Sequence, residues 1–155
     1  MRKSVSIAML AILWLAAGVP LVRAQDAARA FPSETPGGRV VAPAHVSLDQ
    51  LPLETLGPGV TRKVVHGTQS TFSRWELKAG AKVPLHHHPN EQVSWIVSGR
   101  VRVTSGGRQF VMEAGDIMVF PPNVEHAIEV QEDTVAIDIF APQRQDWIDQ
   151  AAAGK

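Results

Sequence analysis

Cysteine is absent from the 155 residues. No disulfide is therefore open to this chain in an oxidising compartment, and thiol nucleophiles and zinc-thiolate sites are excluded, so any metal must sit on nitrogen and oxygen. A basic excess is also missing. Fifteen Lys and Arg stand against 15 Asp and Glu, a balance that suits neither nucleic acid nor an anionic membrane surface. No internal repeat or low-complexity tract is evident. Helical patterning is lacking until the end, where Gln143 to Ala153, following Pro142, carries Trp147, Ile148 and an Ala-rich tail, enough for roughly two or three turns.

The N-terminus has a pattern of its own. Arg2 and Lys3 precede an apolar run from Val5 to Val19, and Val22-Arg23-Ala24 puts a small residue before Gln25. The run is shorter than the roughly 20 residues that span a bilayer core. It has the layout of a secretory signal peptide cleaved after Ala24, which predicts a periplasmic or secreted protein with no stable membrane span after cleavage. Loss of Arg2, Lys3 and Arg23 leaves 12 basic against 15 acidic residues, a formal charge of −3. Residues 25–45 are Ala-, Pro-, Gly- and Ser-rich with no apolar period and read as a flexible arm, and residues 46–155 suit one domain with one core. Between Val46 and Gly59, Pro52, Gly57, Pro58 and Gly59 permit at most short strands or turns on the domain's edge.

From Val60 the pattern changes to short runs of β-branched and aromatic residues punctuated by Gly and Pro. The expected strands are Thr61–His66, Thr71–Leu77, Gln92–Val97, Arg100–Thr104, Gln109–Met112, Ile117–Phe120, Ala127–Val130 and Thr134–Phe140. Gly106-Gly107 marks a two-residue hairpin. Short strands with no helix between them predict an all-β barrel or sandwich with a short C-terminal helix.

Two places carry chemistry. His86 and His88 are two apart, so on an extended strand both imidazoles project to one face. Gln92 follows four residues later and His126 lies far along the chain, where a barrel can bring it to the same cavity. The second place is the stretch AIDIFAPQRQDW. There Asp138 interrupts an otherwise apolar strand, at a cost that needs a reason: a structural salt bridge, or a general acid or base. Phe140 shares its face. Arg144 follows and can clamp a carboxylate. Trp75 and Trp95 are expected in the core or cavity wall, Arg100 and Arg102 in solvent, and His45 and His66 in structural or exposed positions.

The segment Gly80 to Gly99, GAKVPLHHHPNEQVSWIVSG, and the segment Gly115 to Val130, GDIMVFPPNVEHAIEV, resemble the paired motifs of the cupin superfamily. Gln92 stands in the usual glutamate place, Asn123 in that of an inner glycine and Val130 in that of a final asparagine. The resemblance implies a double-stranded β-helix, a jelly-roll barrel, with one divalent transition metal on His86, His88, Gln92 and His126. Glu91 replaces Gln92 if the strand bulges there. Three imidazoles and an amide leave the cation's charge uncompensated and favour an anionic ligand, while ligand type leaves Mn, Fe, Ni, Zn and Cu open. With HHHPNEQ, the Asp138 stretch is similar to small cupins that linearise unsaturated uronate sugars, in which the residues matching Asp138, Phe140 and Arg144 are implicated in activity.

The resemblance thus implies a metal-dependent lyase or isomerase acting on a small anionic, sugar-acid-like substrate, in a homodimer. Two further functions stay open: a dioxygenase of the quercetin-cleaving type, and a non-catalytic periplasmic binding or sensing module.

Overall fold

A computed structural model describes residues 44–153. The expected signal peptide at 1–24 and nearly all of the expected 25–45 arm lie outside the described residues. After a 3-10 turn at Leu48–Gln50 come eight strands: β1 Glu54–Gly57, β2 Val60–His66, β3 Thr71–Leu77, β4 Lys82–His86, β5 Glu91–Ser105, β6 Arg108–Glu113, β7 Ile117–Phe120 and β8 His126–Ala141. One helix, α1, spans Gln145–Ala153. Among the described residues no helix is long and apolar enough to cross a membrane.

The fold is the expected all-β jelly-roll barrel, and β5 and β8 organise it. All strand pairs are antiparallel. The first half of β5 lies between β7 and the second half of β8, which β3, β2 and β1 extend outward. The second half of β5 lies between β6 and the first half of β8, whose other neighbour is β4. Two long strands thus serve both walls, and the core fills the space between them with residues such as Ile96, Val101, Val103, Met112, Phe120 and Val130.

The sequence predicts four separate strands where the structure has two, Gln92–Val97 and Arg100–Thr104 in β5 and Ala127–Val130 and Thr134–Phe140 in β8. Each pair is one continuous strand. In β5 the register shifts repeatedly between Ile96 and Val101, and the inward parity passes from Gln92, Ser94 and Ile96 to Val101 and Val103. Gly99, at φ 86°, occupies this bend, and a Cβ there would stand 2.3 Å from the Asp133 carbonyl oxygen. Only glycine fits such an approach. The Gly106-Gly107 hairpin is present, with φ of 56° and 71° joining Ser105 to its partner Arg108, the double positive φ of a tight primed turn.

β1 and β4 were not among the expected strands. β1 is a short edge strand on β2, within the stretch assigned to the domain's edge. β4 pairs with β8 through an irregular register that sets His86 opposite His126. Trp95 departs from expectation: it is 43% exposed on the outer face, beside Ile117 and Ile137. With Ile117, Val119 and Ile139, all exposed, it forms an apolar outer strip. Arg100 pairs with Glu113 and Glu132, and Arg102 with Glu129, all at the surface.

Candidate metal centre and cavity

Strand register assembles the site. On the inner face of the first wall, Ser94 of β5 sits opposite Asp138 of β8, and Gln92 sits opposite Phe140. Because inward residues recur every second position, Gln92, Ser94, Asp138 and Phe140 form one contiguous patch, all buried. The second wall supplies His86 at the end of β4 and His126 at the start of β8. His88 lies beyond β4 in a loop rather than on the strand. That loop is pinned on both sides: the Asn123 amide donates to the His88 carbonyl at 2.8 Å, and buried Asn90 donates through Nδ2 to the Pro142 and Gln143 carbonyls. Asn123 has φ 63°, a left-handed conformation that Asn tolerates better than most residues, at the place where the motif usually has glycine.

The ligand atoms of His86, His88 and His126 lie within 4.8 Å of one another. Each Nδ1 faces a backbone carbonyl, that of Pro84 at 2.9 Å, Asn90 at 3.0 Å and Val124 at 2.9 Å respectively. A carbonyl only accepts, so Nδ1 carries the proton and Nε2 presents its lone pair. Burial pushes the His88 pKa down and that of His126 down to about 4, which keeps both rings neutral. His126 Nε2 is buried without a partner among the described residues. His88 Nε2 stands 3.0 Å from Gln92 Oε1, an approach of two acceptors that a cation bound to both as neighbouring ligands would relieve. The orphaned nitrogen, the fixed tautomers and the all-N/O donor set fit a divalent transition metal.

Gln92 is oriented from behind. Its Nε2 donates to Ser94 Oγ at 2.9 Å, and Ser94 in turn donates to Asp138 Oδ1. The amide oxygen is thereby turned to the histidines. Glu91 is exposed, and β5 shows no register shift at Glu91 or Gln92. Asp138, 7% exposed, makes no ion pair among the described residues. Loss of hydration pushes its pKa up to about 6 against the opposing hydrogen bonds from Ser94, Gln92 and Trp75. Phe140 is a wall: its ring packs edge-on to His88 at 5.4 Å and to Trp147 at 5.1 Å.

Arg144 is buried, its amide donates to Thr71 Oγ1, and its Nε and Nη2 both donate to Asp146. A cavity of about 230 Å³ joins these parts, lined by His86, His126, Gln92, Asp138 and Arg144. Trp75 lines it too, as expected. His66 bonds to Thr71 Oγ1 at 2.9 Å, and His45 is exposed.

Arg62, Trp147, Ser94 and Asn90 were not singled out from the sequence. Arg62 lines the cavity from β2, and its inward parity with Val60 was the available signal: a cation on the apolar face of an alternating strand.

The family model for the cupin domain matches residues 73–140. The pectin degradation protein KdgF of Dickeya dadantii is 26% identical over 103 residues, 64% of this chain and 94% of that one. Among solved structures, an RmlC-like cupin from Shewanella frigidimarina is 30% identical with a TM-score of 0.61, covering 64% of this chain and 90% of that one. KdgF from Halomonas sp. is 27% identical at a TM-score of 0.61, covering 64% and 94%.

Proposed function

The chain belongs to the cupin superfamily, and we propose that it is an exported, metal-dependent lyase or isomerase acting on a small sugar acid. The observation that carries this reading is Asp138, a buried carboxyl group joined through Ser94 to Gln92 and thence to the histidine cluster. A carboxyl with a pKa of about 6 exists in both protonation states near neutrality, as a group that both takes and returns a proton requires. A divalent cation held by His86, His88, His126 and Gln92 would polarise a carbonyl or hydroxyl oxygen of the substrate. Asp138 then moves a proton to or from the adjacent atom, Ser94 holds the carboxylate in place, and Phe140 and Trp147 keep water from that side. The similarity to KdgF proteins over more than nine-tenths of their length points to unsaturated uronates. A cavity of about 230 Å³, below the range typical of drug-sized ligands, favours a monosaccharide over a flavonol.

The test incubates metal-loaded protein with unsaturated galacturonate and, separately, with quercetin, following ultraviolet absorbance and dissolved oxygen together. Uronate turnover without oxygen consumption is expected, and Asp138→Asn should lower it by about 10²–10⁴ with metal content unchanged. Oxygen-dependent loss of quercetin would establish the dioxygenase instead, and ligand binding without turnover a sensing module. Export is tested by mass spectrometry of a cell-envelope fraction, where a mature chain beginning at Gln25 is expected. For the homodimer, the outer strip of Trp95, Ile117, Val119 and Ile139 is the proposed contact, because a self-complementary apolar face suits an isologous pair. Ile117→Glu should then yield a monomer in sedimentation.

A further inference from the structure

Two buried arginines reach the same indole. The Arg62 guanidinium carbon lies 3.5 Å from the centre of the Trp147 ring and 5.4 Å from that of Trp75. The Arg144 guanidinium carbon lies 4.1 Å from the Trp147 centre and 5.1 Å from that of Phe140. Both line the cavity, yet they differ in what remains open on them. Arg144 spends its Nε and Nη2 on the two carboxylate oxygens of Asp146, at 2.9 and 2.7 Å. Its fork already holds a carboxylate. Arg62 spends Nε alone, on Glu54 Oε2 at 2.7 Å, and its Nη1 and Nη2 have no hydrogen-bond partner among the described residues.

Arg62 is only 7% exposed and lines the cavity, where a ligand can meet its two open donors. Beside it stands Trp75 Nε1, which is buried, meets no hydrogen-bond partner at normal geometry among the described residues, and is directed at the Asp138 carboxyl group. Arg62 and Trp75 are cross-strand partners on β2 and β3, and both donate without accepting. Glu54 occupies only the Nε side of Arg62, and a carboxylate in the cavity would meet the open end-on Nη1/Nη2 fork with two parallel hydrogen bonds. We infer that Arg62 binds the carboxylate of the substrate, and that Arg144, tied to Asp146, is a positioning residue that braces Trp147. The inference rests on the reading of this cavity as the site of an acid substrate. It reassigns the carboxylate clamp from Arg144 to Arg62.

The test is calorimetric titration of the metal-loaded full chain with D-galacturonate and with its uncharged methyl ester. Wild type should prefer the acid by at least about tenfold, since the charged pair is made only with the acid. Arg62→Gln should remove that preference while binding the ester within about twofold of wild type, which also reports that the variant is folded. Arg62→Lys keeps the charge without the planar fork and should lose about half of the preference on a logarithmic scale. Arg144→Lys should weaken acid and ester alike. A wild type that does not prefer the acid, an Arg62→Gln protein that still does, or a preference lost in Arg144→Lys and kept in Arg62→Lys would overturn the inference. Acid preference dependent on Arg62, with no turnover of unsaturated uronate, would leave it standing and sink the proposed function alone.

Discussion

Replacing Asp138 with Asn should make the metal-free protein more stable at neutral pH while it abolishes the proposed proton transfer. The carboxyl pKa is raised from 3.8 to about 6, chiefly by loss of hydration. A shift of that size means that the ionised form costs about 3 kcal/mol in the folded state, at 1.36 kcal/mol per pKa unit. A raised folded pKa favours folding below the unfolded value and disfavours it as pH rises. The stability is present in full below about pH 3.8 and is lost between there and about pH 6. Asparagine stays neutral, keeps an oxygen to accept from Ser94, and escapes that loss. Urea unfolding of chelator-treated wild type and Asp138→Asn at intervals from pH 4 to 8 should therefore show the two converging at acid pH. At pH 7 the variant should lead by up to about 3 kcal/mol. A variant less stable than wild type by a constant amount across the range would mean that the carboxylate is not held at a cost, and the reasoning about its burial would fail.

Purified protein should hold one transition metal per chain by elemental analysis, and His88→Ala or His126→Ala should lose most of it, because each removes an Nε2 donor from a cluster already within 4.8 Å. Asn123→Ala should destabilise by about 1 kcal/mol in urea unfolding and Asn123→Gly should not, because the left-handed φ of 63° penalises a Cβ that has no local hydrogen bond to offer.

The barrel was legible wherever alternation was strong and local. Thr71–Leu77 and Ile117–Phe120 agree with their strands to the residue, since β-branched and aromatic residues on a half-buried pleat define period and ends together. Long strands were broken at the wrong places because glycine and charge mark a bend as readily as a turn. Gly99 and the acidic Glu132-Asp133 lie inside β5 and β8 and look like loop ends. β4 was hidden because KVPLH, with Pro84 inside it and no fully buried residue, has no alternation of its own; it is held by β8 across the barrel. Among the site residues, the histidines were visible through the motif rather than through strand spacing, since His88 lies past the end of β4, and Asp138 through its conflict with an apolar strand. Arg62 was invisible as function because its open fork depends on where Glu54, Trp75 and Trp147 come to rest, contacts that cross three strands and a helix.

The glutamine in place of the motif's glutamate has a reason that the geometry supplies, and Gln92→Glu tests it. An amide has two ends: Oε1 turns to the histidines and Nε2 donates to Ser94 Oγ, which frees the single Ser94 hydrogen for Asp138. A glutamate has no hydrogen to give. Ser94 would then face two carboxylates with one hydrogen, and a donor to Asp138 would be lost or shared, leaving that carboxylate even less supported in its buried position. The added negative charge would at the same time compensate the cation that three imidazoles leave uncompensated. Gln92→Glu should accordingly retain metal better than wild type against a chelator, yet turn over uronate more slowly by about tenfold or more, the ordinary scale for a mispositioned acid–base group. Faster turnover in Gln92→Glu, or weaker metal retention, would show that the Asp138–Ser94–Gln92 chain does not couple the carboxyl group to the metal ligands.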